Sequence, residues 1–294
     1  MKQENILEVE NLVMHFGGIK ALNDITFDIK RGSVSALIGP NGAGKTTVFN
    51  CLTGFYKATG GVITLGAKGK ETSVIKVLGE PFQASDYFSP MAFASRLKYK
   101  MFGGSHLVNR AGLARTFQNI RLFKEMSVVE NLLVAQHMTV KRSILSGIAN
   151  TESFKQAEEE ALQKVFYWLG VVDLVAHANR LAGELSYGQQ RRLEIARSMC
   201  TNPEIICLDE PAAGLNPSET DALTKMIRIL RDEHNVTVLL IEHDMGMVMD
   251  ISDYIVVLDH GQVIAKGGPD DIKNNPKVIA AYLGAEDEDD EVGL

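Results

Sequence analysis

A glycine-rich loop that ends in lysine and threonine offers the clearest chemistry in the chain. Gly39, Gly44, Lys45 and Thr46 fit the pattern G-x-x-x-x-G-K-[ST], directly after the apolar run 33–38. Glycines let the backbone curl until several N–H groups face one anion, and a following helix adds its positive end. The lysine reaches the β- and γ-phosphates, and the threonine hydroxyl ligates Mg²⁺.

The alternative is a plain glycine turn with an incidental lysine. A phosphate loop needs a strand before it and a helix after it, and the pattern predicts both, with the helix at 46–54. We therefore predict a nucleotide phosphate loop, which alone indicates an NTPase or a kinase. Its residues are Gly39, Pro40, Asn41, Gly42, Ala43, Gly44, Lys45, Thr46 and Thr47.

Two carboxylates, Asp209 and Glu210, end the apolar run 205–208. Ligands of open α/β sheets bind at the carboxyl ends of the strands. There Asp209 can hold Mg²⁺ through water, and Glu210 can polarise an attacking water. A strand that simply ends in acids is common, but the phosphate loop in the same chain favours the catalytic interpretation.

The stretch 185–199, LSYGQQRRLEIARSM, is the most specific in the sequence. Ser186 can cap a helix from about Gly188, and glycine there allows close approach of an anion. An ordinary capped amphipathic helix would explain Leu193 and Ala196 but not SYGQQ. Because the chain already has a phosphate loop, one use for both is a dimer in which each chain closes the other's site.

Hydrophobic periodicity predicts the elements that position these residues. Two antiparallel strands fill the first 30 residues, parted by Gly17-Gly18, and another strand spans 61–66. The runs 33–38, 204–208 and 236–241 are nearly all apolar, as in strands of a parallel sheet. A helix begins at Asn216, with a capping box and a proline, and the segment 254–267 forms a hairpin turning at His260-Gly261.

Two further regions are less regular. Signals from 125 to 182 are helical, with Leu162, Val165, Phe166 and Leu169 on one stripe. Residues 67–109 form a predicted insertion, with a helix across 91–101. It is either a surface insertion or a contact with membrane subunits or a regulator.

Composition excludes several classes of protein. The net charge is −7, of which residues 286–291 supply six acids, so the body is nearly neutral and offers no broad basic face to nucleic acid. We expect residues 285–294 to be an acidic, disordered tail. Three scattered cysteines indicate buried thiols in a reducing compartment. Neither a signal peptide nor a membrane-spanning run is evident.

These motifs together resemble the ATP-binding cassette (ABC) family. The phosphate loop, Gln118, LSYGQQ, LDEP and His243 occur in the family's order. RTFQNIRLF, LSYGQQRRLEIAR, LDEPAAGLNP, IEHDM and AAYLG are similar to the ATPase subunits of branched-chain amino acid importers. The resemblance covers residues 5–66 and 110–284. It departs from the commonest family form at Tyr187, where glycine is usual.

The resemblance implies an α/β fold: a P-loop NTPase of ABC type with a mixed sheet core, an antiparallel β-subdomain and a helical subdomain at about 119–184. The cassette would occupy residues 1–284. It also implies a role for each matching residue. Phe16 would stack on adenine, unless it is a core residue of its strand. Thr46, Gln118 and Asp209 would bind Mg²⁺, and Glu210 would act on the attacking water with Lys45 and His243 at the γ-phosphate. Ser186, Gly188 and Gln189 would contact ATP bound to a second cassette.

The implied function is ATP hydrolysis that powers amino acid import at the cytoplasmic face of the membrane. Expected partners are integral-membrane permease subunits, a second identical or related cassette and, indirectly, a periplasmic or extracellular substrate-binding protein. The helical region after Gln118, flanked by Arg115 and Arg121, is the expected docking face. The transported solute could equally be another amino acid or an amide. Three other kinds of ABC protein fit the sequence less well. A DNA-maintenance ATPase would have long heptad repeats between the phosphate loop and LSYGQQ, and a ribosome-associated protein would carry two cassettes in one chain. A non-catalytic cassette would have lost a catalytic residue, whereas Lys45, Asp209, Glu210 and His243 are all present.

Overall fold

The computed structural model describes residues 4–66, 71–79, 97, 99, 101, 103–136 and 152–291. Within them lie an antiparallel sheet, a mixed sheet and helices that cover the mixed sheet, as the α/β prediction requires. No helix among these residues has the length and apolar character needed to cross a membrane.

The antiparallel sheet has the strand order β2-β1-β4-β5. β1 (Asn5–Phe16) and β2 (Ile19–Lys30) pair as predicted around the glycine turn, and β4 (Gly60–Leu65) pairs with β1 on its other edge. Alternating side chains of these strands, such as Leu7, Ile25 and Ile63, lie in one buried cluster. One face of the sheet is therefore buried and the other faces solvent.

The mixed sheet has the order β10-β9-β3-β8-β7-β6. β3 (Val34–Ile38), β7 (Ile205–Asp209) and β8 (Thr237–Ile241) are parallel and wholly buried, which confirms the prediction from their apolar runs. β6 (Leu113–Arg115) extends the parallel part. β9 (Tyr254–Asp259) and β10 (Gln262–Gly267) form the predicted hairpin at the opposite edge.

Three helices carry the segment between Gln118 and Asp209. They are α4 (Val128–Gln136), α5 (Glu152–Val171) and α6 (Tyr187–Met199), and α5 packs against both others. The predicted stripe on α5 is partly wrong. Val165 and Leu169 are buried, but Leu162 and Phe166 are exposed, and the buried face runs through Ala161, Trp168 and Val172. The small Ala161 and the amphipathic Trp168 give a weak hydrophobic signal in the sequence, although both are buried.

The other helices follow the strands. α1 is Lys45–Leu52, α7 is Pro217–Asp232, α8 is Met245–Ile251 and α9 is Pro269–Lys273. The start of α7 has the predicted capping box: Glu219 N–H donates to Asn216 Oδ1 at 3.0 Å, and Asn216 N–H donates to Glu219 Oε2 at 3.1 Å.

The last helix, α10 (Pro276–Glu291), corrects the expectation of a disordered tail from residue 285. Once a helix has been nucleated, each added residue costs little, and Ala285 and the glutamates are good helix formers. The charge of the segment therefore did not prevent it from continuing the preceding helix.

The predicted insertion 67–109 is partly described. β5 (Thr72–Ser73) extends the antiparallel sheet beside β4, followed by α2 (Val74–Val77) and, later, α3 (Ser105–Arg110). Val74, Val77 and Val108 belong to the same buried cluster as the antiparallel sheet. The flanks of the segment are thus part of the core. Most of the helix predicted at 91–101 lies outside the described residues.

Candidate functional site

The phosphate loop connects the central strand β3 to α1. Gly42 and Gly44 have φ values of 78° and 99°, in the left-handed region that favours glycine. A Cβ on Gly39 would lie 2.1 Å from the carbonyl oxygen of Leu258, so no larger residue fits there. No side chain caps α1 at Gly44, which leaves its first-turn N–H groups and its positive end directed at the loop.

Lys45 lies across this loop. Its Nζ donates hydrogen bonds to the carbonyl oxygens of Gly39 (2.6 Å) and Pro40 (2.8 Å). Burial lowers the pKa of Lys45, and the negative charge of Glu210 opposes that effect. The lysine and the predicted catalytic glutamate are therefore close enough to interact electrostatically.

Glu210 is held between two side chains from other segments. Gln118 Nε2 donates to Glu210 Oε2 at 2.6 Å, and His243 Nε2 lies 2.8 Å from Glu210 Oε1. The residue has φ 46°, a left-handed conformation that costs free energy for a residue with a Cβ. Its N–H bonds Ile241 O, which fixes the backbone to the end of β8.

Asp209 has a partner that the sequence did not indicate. Arg115 Nη2 donates to Asp209 Oδ2 at 2.6 Å, and both side chains are 7% exposed. The other nitrogen, Nη1, bonds Asn50 Oδ1 at 2.6 Å and Thr53 Oγ1 at 3.1 Å. The guanidinium carbon also lies 5.1 Å from the centre of the Phe117 ring. The prediction that Arg115 flanks a docking face is thus wrong: it ends β6 beside β7 and is buried within the site.

Phe16 ends β1 and is 42% exposed, so it is not a core residue of its strand. Its ring packs edge-on against Tyr56, with 5.2 Å between ring centres. An exposed ring held by a second aromatic can present a face to a planar base. Adenine stacking by Phe16 stays a prediction.

The segment 185–189 forms a separate surface. Gln189 N–H donates to Ser186 Oγ at 3.3 Å, and Ser186 N–H donates to Gln189 Oε1 at 3.0 Å, a capping box at the start of α6. A Cβ on Gly188 would lie 2.6 Å from Glu219 Oε1 on α7. The cleft of about 310 Å³ at this point includes Ser186, Gly188 and Gln189 but no phosphate-loop residue.

The structure therefore divides the predicted residues into two groups. Lys45, Glu210, Gln118 and His243 meet at the carboxyl edge of the parallel strands, with Asp209 at the end of β7. Ser186, Gly188 and Gln189 lie at the α6–α7 cleft. One chain thus has the residues predicted to bind phosphate together at one edge and, elsewhere, a separate capped helix start.

The predicted Mg²⁺ site has suitable chemistry. Among the described residues no group of three or more His, Cys, Asp or Glu could hold a metal ion by itself. Thr46, Gln118 and Asp209 offer a hydroxyl, an amide and a carboxylate, and Mg²⁺ bound with nucleotide typically takes few protein ligands besides phosphate and water. The oxygen donors in this set fit Mg²⁺.

Sequence reasoning also missed Glu242. This carboxylate directly follows β8, much as Asp209 is the last residue of β7, and it is 4% exposed. It accepts hydrogen bonds from the N–H groups of Ala212 (2.6 Å) and His243 (3.0 Å). Burial raises its pKa, and these N–H donors oppose the rise. The sequence signal for Glu242 was an acidic residue directly after an apolar run. The hydrogen bonds that Glu242 accepts fix the backbone on either side of the site.

Comparison with known proteins places this arrangement in a family. The family profile "ABC transporter" matches residues 22–213, and the profile "Branched-chain amino acid ATP-binding cassette transporter" matches residues 262–288. Together with relatives of high identity over nearly the whole chain, these matches show that the chain belongs to the ABC transporter family.

The relatives define the resemblance more narrowly. The chain is 52% identical to the high-affinity branched-chain amino acid transport ATP-binding protein BraF of Pseudomonas aeruginosa, over 95% of this chain and 98% of that protein. It is 50% identical to LivG of Escherichia coli K12, a protein of the same description, with the same coverage. The solved ADP conformation of MJ1267, an ATP-binding cassette of an ABC transporter, has a TM-score of 0.73 and 32% identity, and the match covers 95% of this chain and 99% of that one.

Proposed function

We propose that the chain binds and hydrolyses ATP as the cassette subunit of an importer for branched-chain amino acids. The observation that carries the proposal is the Glu210 carboxylate, held between Gln118 and His243 and close to Lys45 at a phosphate loop. The printed function of the BraF and LivG relatives supports the transport part.

In this proposal the loop N–H groups, Lys45 and the hydroxyls of Thr46 and Thr47 bind the ATP phosphates. The Lys45 ammonium group donates hydrogen bonds to the carbonyl oxygens of Gly39 and Pro40. Because it lies at the end of a flexible side chain, it can donate to phosphate oxygens instead when ATP binds. Thr46, Gln118 and Asp209 would hold Mg²⁺, which would supply positive charge to the phosphates.

Glu210 accepts a proton from the attacking water, the water oxygen bonds to the γ-phosphorus, and the bond from that phosphorus to the bridging oxygen breaks as ADP leaves. His243, whose Nε2 contacts the Glu210 carboxylate before ATP binds, moves its N–H to the γ-phosphate when ATP is bound. General-base catalysis of this kind contributes about 10²- to 10⁴-fold to a rate. The left-handed backbone at Glu210, held by Ile241 O, keeps the carboxylate in one place.

The proposal needs two cassettes. Ser186, Gly188 and Gln189 lie away from the phosphate loop of their own chain, so they contact ATP bound to a second cassette, identical or related. Closure of the pair drives permease subunits in the membrane, to which a substrate-binding protein delivers the solute. The chain works at the cytoplasmic face of the membrane, with the helical region after Gln118 as the docking face.

The deciding experiment measures ATP hydrolysis and molar mass for the purified chain and for Glu210→Gln. The exposed Glu233→Gln on the far end of α7 is the matched control, since it makes the same chemical change away from the site. We expect Glu210→Gln to bind ATP, to hydrolyse it about 10²-fold or more slowly, and to accumulate as a dimer.

Equal hydrolysis by Glu210→Gln and the control would remove Glu210 from the mechanism. Import is tested separately, by uptake of labelled leucine in cells with and without the chain. Unchanged uptake would contradict the transport proposal without affecting the proposed ATPase chemistry.

A further inference from the structure

A buried ion pair on α6 is not used by the catalytic scheme. Arg191 and Glu194 lie one turn apart, with side chains 0% and 1% exposed, and Arg191 Nη1 is 3.0 Å from Glu194 Oε2. Burying two charges costs free energy that their mutual attraction often only balances, and two apolar residues would often fill such a space with no loss of stability. Stability alone therefore gives a poor account of the pair.

The pair bonds the backbone of the segment that carries Gln118. Arg191 Nη1 donates to Phe117 O and Nη2 donates to Gln118 O, both at 2.7 Å. Glu194 Oε1 accepts the N–H of Arg121 at 3.0 Å. Residues 117–121 are thus held near both ends by side chains from a single helical turn.

These bonds are suited to hold a position. A guanidinium is planar, with its donors in a fixed fork, so two carbonyl oxygens bonded to it keep a defined separation and direction. Burial raises the pKa of Glu194, while the Arg121 N–H and the Arg191 charge oppose the rise. The charge of Arg197 opposes the rise as well, so the charged form of Glu194 is stabilised by several neighbours.

The same helix begins with the residues expected to contact ATP on a second cassette. Ser186 caps α6, and Tyr187 Oη lies 3.4 Å from Arg191 Nη2. At the other end of the connection, the Gln118 side chain bonds Glu210. A continuous chain of bonds thus runs from the start of α6, through Arg191, to the catalytic carboxylate.

We propose that Arg191 and Glu194 are positioning residues that fix Gln118 against Glu210 and make the start of α6 and the hydrolytic edge of the same chain move as one unit. The inference rests on the proposed catalytic role of Glu210. Contact of Ser186 with one ATP then influences the geometry at the other ATP through this buried pair.

The test replaces both charges together, Arg191→Met/Glu194→Met, so that neither member of the pair is left without the other. Arg197, whose charge also interacts with Glu194, is left unchanged. The matched control is Arg31→Met/Glu204→Met, which removes another arginine–glutamate pair (2.7 Å) located at the amino ends of the parallel strands. Each pair is also changed in a Gln118→Ala background, and kcat, KM for ATP and melting temperature are measured on the full chain.

We expect Arg191→Met/Glu194→Met, the α6 variant, to have a kcat about 10-fold or more below that of the control, because small misplacements of catalytic groups have effects of that size. KM should stay near that of the control, and kcat is compared at a temperature at which the melting curves show both variants to be folded. In the Gln118→Ala background the further loss should nearly vanish, because the pair acts through Gln118.

Equal kcat for the α6 variant and the control overturns the inference, and so does an undiminished loss in the Gln118→Ala background. A wild-type chain unable to hydrolyse ATP would instead contradict the proposed function. Amide hydrogen exchange without nucleotide then decides the inference: the α6 variant should exchange faster over both 117–121 and 186–190, and unchanged exchange in either segment overturns it.

Discussion

Replacing Arg115 by methionine tests the electrostatic balance at the carboxyl edge of the sheet. The substitution keeps much of the side-chain volume but removes the charge that lies 2.6 Å from Asp209. Both side chains are 7% exposed, so water cannot easily take the place of the guanidinium. Asp209 would remain as a buried carboxylate without its cation.

Breaking a buried ion pair on one side costs about 3–5 kcal/mol of unfolding free energy. The bonds from Arg115 to Asn50 and Thr53 are lost as well, which places the expected cost in the upper part of that range. For a chain of this size 1 kcal/mol corresponds to about 2–4 °C, so the melting temperature should fall by about 8–20 °C.

Thermal unfolding followed by circular dichroism measures the effect, with Arg115→Met/Asp209→Asn beside it. Removing both charges should restore most of the lost stability, because no lone charge is left. Mg²⁺ with ATP should also raise the melting temperature of Arg115→Met more than that of the wild type, since Asp209 gains a cation. A single variant no less stable than the double variant would refute the argument.

Three further outcomes are expected. Burial raises the pKa of the thiols of Cys51, Cys200 and Cys207 to about 12. An aromatic disulfide reagent at pH 8 should therefore leave the native chain unmodified and react with the three thiols only after denaturation. Rapid reaction of one thiol in the native chain would contradict this. Asn216→Ala should lower the unfolding free energy by about 1 kcal/mol in urea, against no change for the exposed Asp221→Ala, because it removes the cap of α7. Phe16→Ala should weaken ATP binding by about 10-fold or more in a fluorescence titration. Ile19→Ala on the next strand, where the side chain is 72% exposed against 42% for Phe16, should not weaken binding; equal affinities of the two variants would exclude stacking.

The sequence predicted the elements whose signals are local. The runs at 33–38, 204–208 and 236–241 are nearly all apolar because their strands are covered on both faces, and each strand lies within one residue of where that pattern placed it. The caps at Ser186 and Asn216 were predictable for the same reason: a cap depends on residues three positions apart.

The parts that could not be predicted depend on distant neighbours. Arg115 ends a strand of three residues, too short for a periodic signal, and only the pairing of β6 with β7 brings it to Asp209. From the sequence, Glu194 is a charged residue of an amphipathic helix and would be expected to face solvent. It is buried instead, and its carboxylate accepts the N–H of Arg121 from a distant segment. The interaction surface of a charged side chain is a tertiary property and is not encoded in its spacing.

The charged groups at the sheet edge are bonded to one another, and this has a consequence for how nucleotide binding is coupled to motion. Lys45 bonds two loop carbonyls, Asp209 bonds Arg115, and Glu210 bonds Gln118. A phosphate or a metal ion that binds there must therefore exchange partners within the protein as well as add contacts of its own. Because Gln118 is also held through its backbone by Arg191, a shift of its side chain away from Glu210 strains bonds that lead to the start of α6. In the proposed dimer, part of the nucleotide binding energy is therefore directed into the segment proposed to meet the second cassette, which a preformed and unconnected site could not achieve.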